Sequence, residues 1–421
     1  MLILDLIETL TFGGVVLLAG YALCRSIPVL ARYNIPAPVV GGLLVAVIVL
    51  IAHGRGTTLI QFDTTLQSPL MIAFFTTIGF AASLSMLKVG GPLVFRFLLL
   101  ATGFAVLQNV VGLMIAVLFG LEPLFGVLVG SVTLTGGPAT GLAFAPLFEQ
   151  AGVVGAASIA VAAAMAGIVC GGVIGGPICT WLIRRNDLRV PGRSAEAGPE
   201  ATQGSQPLPG RLAELIEGTT DGSLGPVPGV DDLEPEGVAP LKNLVAVLVA
   251  MWVGSWVSSG FAALGLTLPA YIGAMLVAAA IRNIDDVTGW FGLSHRFIGE
   301  LGAVSLALFL AIALMTLQLW ELAGLAVPLL TILFAQIVLV ALVCAWPVFQ
   351  VMGRDYESAV MTGGFVGFML GTTANAMAVM RTLVDHYGPA PTAFLVAPLV
   401  GAFFIDFTNA LIITFFLNVL G

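Results

Sequence analysis

The chain has 421 residues, of which 59% are apolar and only 9% are charged. About 25% of the residues in a soluble domain are charged, and 15 basic and 23 acidic side chains cannot cover a soluble surface of this size. The composition therefore predicts a membrane protein with several spans and excludes a soluble globular one. The net charge of −8 also argues against binding to nucleic acid.

Most of that acidic charge lies in one segment, residues 186–240. This segment has ten acidic and three basic residues, together with 8 of the 23 prolines. Such a composition cannot bury enough apolar surface to fold alone. The chain is therefore predicted to consist of two membrane halves, 1–185 and 241–421, joined by an acidic Pro/Gly-rich linker.

Ten apolar segments approach or exceed the roughly 20 residues that a membrane span needs. Asp5 and Glu8 stand where a signal peptide would carry positive charge, so the first apolar run is expected to remain as a span. The segments are predicted at 9–26, 36–52, 68–87, 92–120, 150–183, 241–264, 267–281, 297–319, 323–349 and 391–419.

Two further apolar stretches, 124–147 and 358–380, have a Gly/Thr-rich break at their middle. They are either full spans or re-entrant hairpins, and the placement of Lys and Arg discriminates because these residues accumulate on the cytoplasmic side. With two hairpins and a periplasmic N-terminus, 14 of the 15 basic residues lie inside and only Arg55 lies outside. With two full spans the division is five inside and ten outside. The count favours hairpins, periplasmic termini and a cytoplasmic linker.

Five spans and one hairpin per half give the two halves opposite orientations. Pro38 and Gly42 correspond to Pro269 and Gly273 at a constant offset, and the hairpin tips correspond at a similar one. Each match is weak alone, but their common order supports a repeat. The predicted fold is an all-α membrane protein built from two inverted-topology repeats of five transmembrane helices, each with one re-entrant hairpin.

The hairpin tips, Ser131–Gly141 and Gly371–Ala376, are the strongest candidates for a binding site. Non-helical backbone at membrane depth is tolerated only where protein or a water-filled cavity satisfies it. Free N–H groups at a helix start suit a carboxylate, and carbonyls at a helix end suit Na⁺. The alternative is that Gly and Thr only allow close helix packing.

Asp406 lies in the apolar last segment, and an ionisable group in that position is a functional candidate by default. It could hold an ammonium group, bind Na⁺ or take a proton; alternatively, it pairs with a neighbouring helix. Arg381 follows the second hairpin and is either a cytoplasmic anchor or a partner for a second carboxylate. Gln108 and Gln336 lie within apolar segments, where interhelical hydrogen bonds are equally expected.

Motifs for other chemistry are absent from the sequence. Neither lysine follows a Gly-rich loop, the three histidines form no HExxH or other His pair, and no GxSxG elbow occurs. The four cysteines lie in or beside apolar runs without metal-ligand spacing. Neither an enzymatic activity nor a resident cofactor is therefore expected. An ion channel is a further alternative, which would show ion flux without saturable substrate exchange.

The sequence also resembles a known family, the bacterial sodium/glutamate symporters. The similar stretches include TLTGGPATGLAFAPLFEQAG (Thr133–Gly152), GTTANAMAVM (Gly371–Met380) and FLVAPLVGAFFIDFTNALIITFFLN (Phe394–Asn418). The resemblance implies Na⁺-coupled uptake of L-glutamate across the inner membrane by a homodimer in which a core domain moves against a scaffold. The alternative within transport is a Na⁺- or H⁺-coupled symporter of another organic anion or amino acid.

These observations together predict two sets of site residues. The expected substrate-binding residues are Thr135, Gly136, Gly137, Thr140, Thr372, Thr373, Asp406 and Arg381. The expected Na⁺-binding residues are Ser131, Thr133, Asn109, Gly371, Asn375 and Asn409.

Overall fold

The computed structural model describes residues 2–33, 35–57, 60–188, 238–263, 269–322 and 324–421. The predicted linker at 186–240 lies almost wholly outside the described residues, as does the start of the predicted segment at 267–281.

Helices make up almost all of the described structure. The first half forms α1 (Leu6–Ser26), α2 (Pro28–Arg32), α3 (Ala37–Gly54), α4 (Gln67–Ala81), α5 (Leu84–Leu118), α6 (Pro123–Val127), α7 (Gly137–Gln150) and α8 (Ala156–Arg185). The second half forms α9 (Val238–Ala263), α10 (Ala270–Thr288), α11 (His295–Met315), α12 (Ala326–Val343), α13 (Phe349–Met352), α14 (Tyr356–Met369), α15 (Thr373–Tyr387), α16 (Pro391–Leu399) and α17 (Ile405–Leu420).

Short irregular elements join several of these helices. One wide π-helical turn, Leu128–Val132, continues α6; a second, Cys344–Val348, precedes α13; and a third, Val400–Phe404, precedes α17. A 3₁₀ turn covers Leu319–Leu322. Two short strands that the sequence did not predict, β1 (Leu2–Ile3) and β2 (Ile60–Gln61), pair in parallel.

Each of the ten predicted segments contains a helix, and seven described helices are long and apolar enough to cross a membrane. This confirms a helical, multi-pass membrane protein; the count of ten spans stays a prediction. The predicted start of the fourth segment at 92 matches a break inside α5, where Gly91 has φ of 60°. Asp5 and Glu8 form a capping box at the start of α1, which satisfies two exposed N–H groups.

The helices pack into two bundles, and each bundle takes elements from both halves of the chain. Bundle A consists of α1, α3 and α4 together with α9, α10 and α11. Bundle B consists of α5 to α8 together with α12 to α17. Bundle B contains the largest apolar core, and a smaller cluster of α3, α7, α8 and α11 side chains joins the bundles.

In each half of the chain, glycines bring the first two long helices of bundle A into backbone contact. A Cβ on Gly41 of α3 would overlap the backbone of α1 at Val16, and a Cβ on Gly273 of α10 would overlap the backbone of α9 at Gly254. Small residues are the usual means of close helix approach in lipid. The same kind of contact therefore occurs once in each half of bundle A.

A polar cluster fixes the connection where the chain passes from α4 in bundle A to α5 in bundle B. Ser83 Oγ donates to the Asp286 carboxylate at 2.6 Å, and Asn283 Nδ2 donates to the carbonyl oxygen of Ala82 at 2.8 Å. Asp286 also pairs with Arg282 at 3.0 Å. The crossover between the bundles is thus held by the end of α10, a helix from the other half.

Large apolar side chains cover much of the molecular surface. Leu18 of α1, Trp252 of α9 and Phe334 of α12 are each at least 60% exposed. A soluble monomer rarely exposes extended apolar patches of this kind. The outer faces of both bundles therefore match a lipid environment, as the composition predicts.

We expect Gly112→Val to lower the melting temperature of the detergent-solubilised protein. A Cβ on Gly112 of α5 would overlap the backbone at Gly126 of α6, so the two helices must separate, at a cost of about 1–3 kcal/mol or more. Gly103→Val is the matched control, because nothing lies within 4 Å of a Cβ at that position of the same helix. Equal melting temperatures for the two variants would contradict the role given to this contact.

Candidate functional site

Two helix breaks meet inside bundle B, at the positions where the sequence predicts hairpin tips. The first break separates α6 and its π-helical turn from α7, and the second separates α14 from α15. Thr135 Oγ1 of the first break lies 3.5 Å from Met369 Sδ of the second, and a Cβ on Gly137 would lie 3.6 Å from the carbonyl oxygen of Gly371. Residues far apart in the chain thus form one polar region.

Local sequence explains why both helices restart at these points. Gly137 has φ of +70°, a conformation that glycine adopts without strain, and Pro138 follows within the first turn of α7. At the second break, Thr372 caps α15 by accepting a hydrogen bond from the Asn375 N–H at 3.3 Å. Two helix N-termini, α7 and α15, therefore begin beside one another.

Gln108, fully buried on α5, bridges the two breaks with its side-chain amide. Its Nε2 donates to the carbonyl oxygen of Met369 at 3.0 Å, and its Oε1 accepts from Thr135 Oγ1 at 2.6 Å. Gln336 of α12 donates in turn to the carbonyl oxygen of Gln108 at 2.7 Å. A polar residue within an apolar segment predicts interhelical hydrogen bonds of this kind. The sequence pattern does not predict that these bonds lie at both breaks.

Three of the predicted Na⁺-binding residues converge on the first break. Asn109 Oδ1 accepts from the N–H of Ser131 at 2.8 Å, and Asn409 Nδ2 of α17 donates to the carbonyl oxygen of Ser131 at 2.9 Å. A Cβ on Gly130 would lie only 2.7 Å from Asn109 Oδ1, so this contact requires glycine. The non-helical backbone at Ser131 is therefore satisfied by side chains from two other helices.

Several buried polar atoms around this backbone have no partner among the described residues. They are Ser131 Oγ, Asn409 Oδ1 and Asn109 Nδ2, and all three residues have 0% exposed surface. Buried polar groups in folded proteins are nearly always hydrogen-bonded, so unpaired ones need an explanation. Two of the three atoms are oxygens able to coordinate a cation, whereas the Asn109 nitrogen is a donor.

The second break contains a comparable unpaired oxygen at Asn375, the third residue of α15. Asn375 Nδ2 donates to the carbonyl oxygen of Ile168 on α8 at 2.8 Å, which leaves its Oδ1 buried and unpaired within the described structure. A Cβ on Gly371 would lie 2.8 Å from Asn375 Nδ2. Glycine at 371 thus makes room for the amide that links the second break to the last helix of the first half.

The start of α17 is joined to both breaks, and Asp406 lies between the two attachments. Thr373 Oγ1 donates to the carbonyl oxygen of Gly401 at 2.8 Å, and Asn409 binds Ser131 as described above. Asp406 is partly buried, and no described basic side chain forms an ion pair with it. The alternative of a structural ion pair with a neighbouring helix therefore has no support among the described residues.

The remaining predicted residues divide into those near the breaks and one that lies elsewhere. Thr133 Oγ1 donates to the carbonyl oxygen of Leu128 at 2.8 Å, Thr140 is buried, and the N–H of Gly136 donates to the carbonyl oxygen of Ser131 at 3.0 Å. Arg381 is exposed, eight residues after the start of α15, or about 12 Å along the helix. The structure does not bring Arg381 to the breaks.

We expect Gln108→Leu and Thr135→Val to lower stability non-additively. Each change leaves the other residue's buried polar group without its partner, at about 1–3 kcal/mol, whereas the double variant removes both ends of the same hydrogen bond. Melting temperatures of the two single variants and the double variant in detergent give the coupling. Purely additive losses would show that the bridge between the breaks does not contribute to stability.

Comparison with known proteins shows the family to which the chain belongs. The sequence profile of the family described as "Sodium/glutamate symporter" matches residues 2–206 and 236–389. The sodium/glutamate symporter of Escherichia coli (strain K12) is 38% identical over 415 residues, which cover 98% of each chain. The sodium/glutamate symporter of Haemophilus influenzae is 37% identical over 404 residues, 96% of this chain and 95% of that one. The resemblance found in the sequence is confirmed, and the chain belongs to the sodium/glutamate symporter family.

Proposed function

We propose that this chain imports L-glutamate together with Na⁺ across the bacterial inner membrane, as a secondary active transporter working by alternating access. The observation that carries the proposal is the meeting of two helix breaks over unpaired buried oxygens in a member of this family. Broken helices near the midplane are where secondary transporters bind substrate and coupling ion. No resident cofactor is required, since Na⁺ is itself the driving ion.

The proposed architecture has two inverted repeats, 1–185 and 241–421, joined by a cytoplasmic linker at 186–240. The distribution of basic residues supports re-entrant hairpins at 124–147 and 358–380 and periplasmic termini. The composition of the bundles supports the repeat, because each half contributes its first three long helices to bundle A and the remainder to bundle B. A homodimer is proposed from the family resemblance.

Substrate carboxylates are proposed to bind at the paired helix N-termini. The first N–H groups of a helix have no partner within it and carry partial positive charge. The N–H of Gly136 is already used within the first break, so Gly137 and the first turn of α7 are the better donors. Thr373 and the first turn of α15 offer a second set, with Thr135, Thr140 and Thr372 nearby.

Asp406 is proposed to hold the ammonium group of the substrate. It is an acidic group at the start of α17, between the attachments of that helix to the two breaks. An ammonium opposite this carboxylate would compensate its charge in the low-dielectric interior. Arg381 is proposed only as a partner for a second substrate carboxylate, and this contact would lie outside the region of the breaks.

Na⁺ is proposed to bind the unpaired oxygens. Ser131 Oγ and Asn409 Oδ1 form one candidate site, and Asn375 Oδ1 beside Gly371 belongs to another. Hydroxyl and amide oxygens are the ligands that hard cations prefer. Asn109 positions Ser131 in this arrangement, while Thr133 holds the preceding turn.

Transport then requires that the loaded site be exposed alternately to the two sides of the membrane. All the residues at the breaks belong to bundle B, so movement of bundle B against bundle A would carry the site as one unit. An apolar cluster of α3, α7, α8 and α11 side chains forms part of the interface between the bundles, and contacts of this kind have no fixed hydrogen-bond geometry to break when the bundles slide.

Purified protein in liposomes should take up labelled glutamate faster with an inward Na⁺ gradient than without one. Asp406→Asn should reduce this uptake by about 100-fold or more, because a substrate ammonium loses its buried counter-charge. Equal reconstitution of the two proteins is the control. Uptake driven by a proton gradient in the absence of Na⁺ would instead identify the H⁺-coupled alternative. Uptake by Asp406→Asn at the wild-type rate would contradict the role of this carboxylate.

Ser131→Ala should raise the Na⁺ concentration for half-maximal uptake by about 10- to 100-fold, since one oxygen ligand of a charged group is lost. The backbone bonds of Ser131 to Asn109 and Asn409 remain intact in this variant. Glutamate affinity at saturating Na⁺ should change little. Ser305→Ala, another buried serine but in bundle A, is the matched control. An unchanged Na⁺ requirement in Ser131→Ala would exclude this oxygen as a ligand.

A further inference from the structure

Tyr271 of bundle A reaches the part of bundle B that contains Asp406. It is the second residue of α10, and its side chain has 0% exposed surface. Its ring stacks on Phe75 of α4 with centroids 3.9 Å apart, and the ring of Phe144 on α7 meets it edge-on at 5.9 Å. The phenol is therefore held rigidly between the two bundles.

The hydroxyl of Tyr271 has no hydrogen-bond partner among the described residues. Buried tyrosines normally find a partner for this group, because an unpaired hydroxyl in an apolar interior is unfavourable. A phenylalanine at position 271 would make the same ring contacts. The hydroxyl is thus a buried polar group that the fold itself does not use.

The surroundings of Tyr271 place it beside Asp406. Met275, one turn after Tyr271 on the same face of α10, packs in one cluster with Phe404 and Phe407, which flank Asp406. The phenol lies within electrostatic range of the Asp406 carboxylate, although the two groups are not hydrogen-bonded to each other. A bound ligand that carries both a cationic group and a hydrogen-bond acceptor would connect the Asp406 carboxylate to the Tyr271 hydroxyl.

We infer that Tyr271 is a substrate-binding residue, and that its hydroxyl donates a hydrogen bond to the α-carboxylate of the amino acid whose ammonium Asp406 holds. An α-amino acid carries these two charged groups on one carbon, so its zwitterionic head bridges a carboxylate and a hydroxyl donor on neighbouring helices. The inference rests on the proposed function and adds a contact to it. The site then includes one residue from bundle A and discriminates in favour of α-amino acids.

Tyr271→Phe tests this inference with little risk to folding, because the ring contacts with Phe75 and Phe144 are kept and only the unpaired hydroxyl is removed. Loss of a hydrogen bond to a charged group should raise the KM for glutamate by about 10- to 100-fold in liposome uptake at saturating Na⁺. The Na⁺ requirement and the melting temperature should stay close to those of the wild type.

A second readout separates substrate recognition from a structural role. 4-Aminobutyrate is glutamate without its α-carboxylate. Its inhibition constant for glutamate uptake should therefore be the same in wild type and Tyr271→Phe. Tyr21→Phe, the same change on the exposed face of α1, should leave the KM unchanged. An unchanged KM for glutamate in Tyr271→Phe would overturn the inference, and so would an equal loss of affinity for 4-aminobutyrate. Failure of the proposed function is distinguishable, because the wild type itself would then show no Na⁺-driven glutamate uptake.

Discussion

The arrangement of bundle B depends on how the interrupted backbone at its two breaks is satisfied. A peptide group removed from a helix at membrane depth has no water to bind, so the chain must supply partners. At Ser131 these partners are the side-chain amides of Asn109 and Asn409, which reach it from α5 and α17. Gln108 does the same for Met369 at the second break. Removing any of these amides would leave buried backbone groups unpaired, so the residues of the site also stabilise the core of the bundle.

These amides also tie the two halves of the sequence to each other. Asn375 at the second break binds the last helix of the first half, and Asn409 in the last helix of the second half binds the first break. Each break thus forms a hydrogen bond with the other half of the chain. In bundle A, a close glycine contact joins the two halves: a Cβ on Gly79 of α4 would overlap the backbone of α10 at Met275.

Much of the fold could be predicted from composition, because apolar length and turn residues mark helices directly. Every predicted segment contains a helix, and the two Gly/Thr-rich stretches are interrupted where their glycines and prolines fall. The convergence of Ser131 with Asn109 and Asn409 had a sequence signal, since each is polar within an apolar run. The bridge made by Gln108 between the breaks depends on three-dimensional packing, which a local pattern does not encode. Tyr271 gave no signal, because a tyrosine at a helix start is as common at a membrane interface as in a site. The exposed position of Arg381 likewise follows from the length of α15 beyond the break.

The amide chemistry of the breaks has an electrical consequence. Asparagine, glutamine, serine and threonine hold the backbone there without formal charge, so Asp406 is the one charged group among the residues at the meeting point of the breaks. Glutamate adds a second net negative charge when it binds. Each elementary charge moved through the membrane potential corresponds to about 2.3 kcal/mol per 100 mV. In the proposed transport cycle each bound Na⁺ would cancel one of these negative charges, so the number of bound ions would set the net charge of the loaded site and with it the force that the membrane potential exerts on its movement.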